Sequence, residues 1–283
     1  MAAALSSPSF SRRDVLRGFA AAAVGTVVGT ADYGYAYERH RIGVTRETLR
    51  VSGLSPALHG LRVGLLTDLH RSHAVSHEMA AAAVELLLAE RPDIIMLGGD
   101  YVTWGDRRFV GAAAEALAPL TAPHGVFAIL GNHDDDKDMP AALTASGVTV
   151  LKDARTRLQV NGVPLDIAGI RFWTRRAADI ARVVKGAAVD LILLAHTPWR
   201  LPEAAALSIP LVLSGHTHGG QIVLPGLGAV AAREFPVVQG IGRQESTTIF
   251  VSRGVGTVYI PVRVNCPPEV ALLTLEPFVP FQA

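Results

Sequence analysis

Seven side chains of metal-ligand type stand just past the ends of five short apolar runs. Residues 63–67 lead into Asp68-Leu69-His70, and residues 94–97 into Gly98-Gly99-Asp100. Residues 126–130 lead into Gly131-Asn132-His133-Asp134, residues 191–195 into His196, and residues 211–213 into Ser214-Gly215-His216-Thr217-His218. Mixed carboxylate, imidazole and carboxamide ligation suits Mn, Fe or Zn, whereas Ca takes all-oxygen shells. Two such ions about 3.5–4 Å apart neutralise a phosphate ester, acidify a water and hold attacking and leaving oxygens in line. Asp100 or His196 alone would read as a capping or solvated residue. The seven together point to one cluster.

The elements that must position this cluster follow from the same runs. Short β-branched and leucine-rich segments read as strands buried on both faces, and ligands gather beyond the carboxyl ends of such strands in open α/β sheets. Between them, residues 76–89 are apolar on a helical period with Pro92 beyond the end, and further helices are expected over 109–117, 140–145, 177–184 and 202–206. Residues 42–54 read as an opening strand pair. Asn161-Gly162 between two apolar runs is a type I′ hairpin signal. From Pro210 the chain is mostly strand and turn, closing with a strand over 270–275. Alternating strands and helices followed by a strand-rich half predict an α/β fold: a four-layer αββα sandwich of two mixed β-sheets flanked by helices.

D-x-H, GGD, GNHD, a separate His and GHTHGG, in that order from Asp68 to Gly220, resemble the signature of the calcineurin-like metallophosphoesterases. Gln221 to Pro225, Ser252-Arg253-Gly254-Val255-Gly256 and Pro267-Pro268-Glu269-Val270 are similar to a bacterial exported branch, that of the YkuE- and YaeI-like phosphodiesterases. Ser72 departs from the Gly that many relatives carry after D-x-H-x. The resemblance implies Asp68, His70 and His218 on one divalent ion, Asp100 bridging, and Asn132, His196 and His216 on a second. It implies attack by a hydroxide held between the ions, with His133 as general acid and Asp134 orienting its imidazole. Arg253 is a candidate for a second anionic group on the substrate, ahead of Arg171, Arg175 and Arg176. Trp104, Trp173 and Trp199 read as core or rim packing, and His73 and His77 as solvated. Gly98, Gly131 and Gly215 are expected to allow tight turns.

Composition narrows the class. A chain of 283 residues with 49% hydrophobic and 18% charged residues is an ordered globular protein. A formal net charge of +1 and the lack of a basic run argue against nucleic acid as partner. The single cysteine, Cys266, excludes an intramolecular disulfide and reads as a buried apolar residue. Ser11-Arg12-Arg13-Asp14-Val15-Leu16-Arg17 resembles a twin-arginine export motif, followed by an apolar stretch over 19–31 that is shorter than a bilayer span needs. Small residues at 29–31 offer a cleavage site before Asp32. The expected organisation is a signal or anchor over 1–31, a lead-in over 32–60 and a catalytic domain over 61–283. Its partners are a small-molecule or lipid-linked phosphoester and the twin-arginine translocase, in the periplasm or envelope, with peripheral membrane association if the signal is retained. Rival readings are a UDP-2,3-diacylglucosamine-type pyrophosphatase acting on a lipid precursor, which export argues against, and a non-catalytic envelope protein that keeps the fold.

Overall fold

A helix, α1 (Arg12–Ala36), opens the part of the chain described by the computed structural model, residues 11–278. Ser11 and Asp14 cap it reciprocally, giving partners to N–H groups that would otherwise have none. The helix has 25 residues, about 37 Å at 1.5 Å per residue, and most of its length is exposed. This corrects the expectation of a stretch too short to span: the helix runs on through Tyr33 and Tyr35 and is long and apolar enough to cross a membrane. The first ten residues of the expected signal segment and residues 279–283 of the expected catalytic domain lie outside the described residues.

The next elements are β1 (Gly43–Val51), β2 (Arg62–Leu66), α2 (His77–Ala89), β3 (Ile94–Leu97), α3 (Val110–Leu117), β4 (Val126–Ala128), α4 (Asp138–Ala145) and β5 (Thr149–Val150). There follow β6 (Ala154–Val160), β7 (Val163–Gly169), α5 (Ala177–Val184), β8 (Leu191–Leu194), α6 (Leu201–Ala206), β9 (Leu211–Ser214), β10 (Gly240–Gln244), β11 (Thr247–Val251) and β12 (Glu269–Pro277). They build two six-stranded sheets, ordered β1-β12-β2-β3-β4-β5 and β10-β11-β9-β8-β7-β6. Both are mixed. Strand β12 is antiparallel to β2, while β2 to β5 run parallel; β6 and β10 are antiparallel to neighbours in an otherwise parallel run.

Burial on both faces explains why the central strands of each sheet are apolar. Val63, Leu65, Ile94, Met96, Ile192, Leu194, Leu211 and Leu213 meet between the sheets. Their neighbours Leu66, Ile95 and Leu97 face α2, α3 and α4, and Leu191, Leu193 and Val212 face α5 and α6. With one face on the other sheet and one on helices, the central positions of β3, β8 and β9 are left to apolar residues. The result is the four-layer α/β arrangement. The hairpin forms at Asn161-Gly162, both at positive φ.

The amino-terminal expectations need revision. Residues 42–54 contain one strand, β1, whose partner is β12, paired parallel from Gly43–Glu269 to Val51–Pro277. The lead-in over 32–60 therefore supplies an edge of the first sheet.

Candidate metal centre

The carboxyl ends of β2, β3, β4, β8 and β9 converge, and all seven ligand-type side chains converge with them. Five of the seven, Asp68, His70, Asp100, His216 and His218, sit at positive φ. That conformation costs a non-glycine residue of order 1–3 kcal/mol, so the loops must be held from several sides. Asp68 N–H donates to Gly99 O at 2.9 Å, His70 N–H to Asp100 O at 2.9 Å and Gly256 N–H to Asp68 O at 2.7 Å. His133 N–H donates to Asp100 Oδ1 at 2.8 Å, and His216 N–H to Asp68 at 3.0 Å.

The glycines act by absence of bulk. Gly131 and Gly215 have ordinary φ, but a Cβ on Gly131 would overlap the Asp100 carboxylate and one on Gly215 the Asp68 carboxylate. A Cβ on Gly98 would strike Thr67. The expected tight-turn role falls instead to Gly99, at φ 95°.

Two ligand groups result. Asp68, His70 and His218 offer donor atoms within 4.8 Å of one another, as do Asp100, His196 and His216. His70 Nε2 faces His218 Nε2 at 3.1 Å, and His216 Nδ1 faces His196 Nε2 at 3.2 Å. Two ligands roughly 2.0–2.1 Å from one ion stand about this far apart. Asp100 Oδ2 lies between the groups, 3.2 Å from His196 Nε2 and 3.5 Å from His70 Nε2. Asn132 lines the same cleft, and its Oδ1 is buried without a hydrogen-bond partner among the described residues. A buried acceptor left unpaired is costly, and a cation satisfies it. The donor set fits a pair of divalent ions.

Outer hydrogen bonds select the ring tautomers. His196 Nδ1–H donates to Gly98 O at 2.8 Å, and His70 Nδ1 meets Thr103 Oγ1 at 3.2 Å while that hydroxyl donates to His70 O. Both rings thereby turn Nε2 to the centre, where the neutral form offers a lone pair. Burial lowers His70 to about 4 and His216 to about 3, so both are neutral and ready to coordinate. Burial also pushes Asp68 up to about 6. For His196, burial is outweighed by the charges of Asp100 and Asp68, which raise it to about 10. In the ion-free centre His196 is thus the cation paired with Asp100.

His133 is placed differently. Trp104 N–H donates to His133 Nδ1 at 2.9 Å, which fixes the neutral ring as the Nε2–H tautomer. Burial lowers its pKa. Asp134 does not orient this imidazole, contrary to the sequence expectation. Its carboxylate turns inward and accepts from Asp100 N–H at 2.7 Å, Tyr101 N–H at 2.8 Å and Gly131 N–H at 2.9 Å. It ties two ligand loops together, and burial followed by the Asp100 charge pushes it up to about 7.

Arg253 is also elsewhere. Its guanidinium pairs with buried Glu269 and Thr45, between β12 and β1, so it is not free for a substrate anion. Arg171 is held by Asp136 and Asp153. Trp104 packs on His133 and Tyr259 at the rim, and Trp199 on Phe235. His73 stacks on Phe109, away from the centre.

Sequence reading missed Arg263. It is fully buried and donates to Gly256 O at 2.6 Å, Arg253 O at 2.8 Å and Cys266 O at 3.0 Å, with Nη2 3.5 Å from His218 Nδ1. An arginine between two valines in a short apolar run was the available signal. Cys266 is buried as expected and its thiol donates to His218 O at 3.2 Å. Glu38, also buried, accepts from Asn265 N–H at 3.0 Å and Cys266 N–H at 2.6 Å.

The profile of the calcineurin-like phosphoesterases matches residues 61–220, the span that carries all seven ligand-type side chains. The chain belongs to that family. It is a metal-dependent phosphoric ester hydrolase. Among family members, the metallophosphoesterase YkuE of Bacillus subtilis is 31% identical over 279 residues, covering 94% of this chain and 98% of its own length. Phosphodiesterase YaeI of Escherichia coli is 28% identical over 277 residues, covering 92% of this chain and 98% of its own. A Bos taurus transmembrane protein with a metallophosphoesterase domain is 27% identical over 295 residues, covering 96% of this chain and 65% of its own.

Proposed function

We propose that the enzyme hydrolyses phosphodiesters. The observation that carries this reading is the cleft over the centre: Asp100, Asn132, His133, His216 and His218 form its floor, and no Lys or Arg among the described residues lines it. Glu234 stands in the wall. A monoester dianion would find no protein cation in this cleft and one opposing charge, Arg175 and Arg200 lining the adjoining hollow beyond His216 and Glu234, whereas a diester brings one negative charge and a second substituent to fill the space.

Asp68, His70 and His218 would hold one divalent ion, and His196, His216 and Asn132 a second, with Asp100 reaching both; Mn, Fe or Zn suits these donors. Bound there, such a pair supplies Lewis-acid charge neutralisation and acidifies water. The chain's own part is orientation. Nε2–H of His133 points to the cleft and donates to the leaving-group oxygen as negative charge develops on it. Delivery of a whole proton as a general acid requires His133 to be protonated on Nδ1 as well, at the expense of the bond from Trp104 N–H. His133→Ala should therefore slow alkoxide leaving groups by about 10²-fold and nitrophenolate much less; equal losses on both would remove this role.

The direct test compares bis(p-nitrophenyl) phosphate with p-nitrophenyl phosphate on the loaded and chelator-stripped enzyme. Ion-dependent preference for the diester is expected, and preference for the monoester would overturn the assignment. We further infer that α1 is an export signal or membrane anchor using the twin-arginine route, on the strength of Arg12-Arg13 and the exposed apolar helix. Replacing both arginines with lysine should leave the enzyme in the cytosolic fraction; unchanged export would exclude that route.

A further inference from the structure

The wall of the cleft, unlike its floor, is mostly hydrocarbon, with Thr217, Gln221 and Glu234 as its polar side chains besides the Tyr259 hydroxyl. Ile222, Leu224, Val230, Phe235, Val258 and Ile260 face a space of about 610 Å³ that opens directly on the ligand groups. This is within the roughly 300–1,000 Å³ range of small-ligand sites. The rim continues the same chemistry into solvent: Tyr259 is 80% exposed, Val230 and Ile260 48% each, and Leu224 39%. An apolar surface joined to a phosphoryl site has a use when the two ends of one substrate differ in the same way.

A second, independent feature places that substrate. Residues 258–260 form part of the cleft wall, and residues 262–266 of the same segment form the seat of α1. Gly34 of α1 lies against Val262, Arg263 and Val264 so closely that a Cβ would collide with Arg263 O, and Arg263 N–H donates to Gly34 O at 3.3 Å. Glu38 closes the seat on Asn265 and Cys266. One short segment thus joins the apolar rim to the foot of a helix long enough to cross a bilayer.

We propose that the cleft receives the hydrocarbon chain of an amphiphilic, lipid-type phosphodiester presented at a membrane surface. This rests on the phosphodiesterase reading and adds a substrate class to it. The floor takes the phosphoryl group, the wall takes the chain, and α1 keeps the rim where such molecules reside.

The test uses the full-length, ion-loaded enzyme and the monomethyl esters of methyl-, propyl- and pentylphosphonic acid, which carry a single negative charge as a diester does. Each methylene withdrawn from water strengthens binding by up to about fourfold, so calorimetric Kd should tighten by about tenfold or more from methyl to pentyl. Val230→Asp and Ile260→Asp, both at half-exposed positions where folding tolerates charge, should each flatten that series. Equal affinity for the three chains, or a slope that survives both variants, would overturn the proposal. Turnover of bis(p-nitrophenyl) phosphate in the same preparations reports on the phosphodiesterase reading separately. An enzyme that turns over the diester but ignores chain length keeps the reaction and loses the lipid. One that tracks chain length without turnover loses the reaction on which the proposal rests.

Discussion

The two ligand groups have the same chemistry and opposite surroundings. Asp68, His70 and His218 are all buried, and each is braced from behind: Thr67 Oγ1–H donates to Asp68 at 2.5 Å, Thr103 contacts His70, and Arg263 with Cys266 closes on His218. In the other group His216 is half-buried. Its ring packs edge-on against Phe235 at 5.5 Å and at a tilt against Phe172 at 5.4 Å, and its only ring hydrogen-bond partner among the described residues is His196. Hydrogen-bonded outer partners fix ligand orientation more firmly than aromatic packing does. The difference teaches that one half of the centre is sealed on all its members, while the other is open at a single one, His216, although both halves reach the floor of the cleft.

Asp100 stands between the two halves, within 3.5 Å of a ring from each, so its loss is the strongest way to abolish the distinction. Asp100→Asn should lower hydrolysis by on the order of 10³-fold with an unchanged circular dichroism spectrum; near-normal turnover would remove it from the shared position. Next in size is Arg263→Lys, which keeps the charge but lacks the fork that reaches several carbonyls. It should weaken retention of one ion about 10–100-fold and leave the other almost unaffected, read as two separate steps in a chelator titration. Equal weakening of both would mean that the sealed half is not distinct. In the wild type the same titration should already show two steps, with the His196–His216 ion leaving first at about tenfold lower chelator concentration.

The smallest effect is on pH dependence. In the ion-free protein, burial opposes the protonated form of His196, but Asp100 and Asp68 overcome it and raise the pKa to about 10. The native chain then keeps a proton that the unfolded chain releases above about pH 6.5. Stability from this pair is therefore complete below that pH and falls as pH rises toward 10, by up to about 1.4 kcal/mol per unit. Denaturant midpoints between pH 7.5 and 9.5 should show the slope, His196→Asn should remove it, and ion loading, which displaces the proton, should remove it as well. A flat profile in the ion-free wild type would contradict the ion pair.

The two halves were unequally legible in the sequence. All seven ligands could be read because each stands one to five residues beyond an apolar run, and a strand end is a local pattern. The bracing of His218 could not, since it is made by chain closure: Arg263 and Cys266 reach it from 45 and 48 positions away, and Glu38 accepts from Asn265 and Cys266, 227 and 228 positions away. The pairing of β1 escaped for the same reason: residues 42–54 read as a strand pair, but the partner, β12, comes from the other end of the chain. Asp134 was misread through adjacency. It follows His133 in sequence, but the two side chains leave the loop in different directions, one to the cleft and one to the backbone beneath. Arg253 looked free because its counter-ion, Glu269, belongs to the closing strand.

The bare Cα atoms of Gly131 and Gly215 have an evolutionary consequence. Each glycine occupies the space that a ligand carboxylate needs, so a single added methyl group would push Asp100 or Asp68 aside while every ligand remained in the sequence. A lineage could retire this chemistry without losing one of its seven signature side chains. Competence in a descendant is therefore recorded as faithfully by two missing methyl groups as by the aspartates and histidines around them.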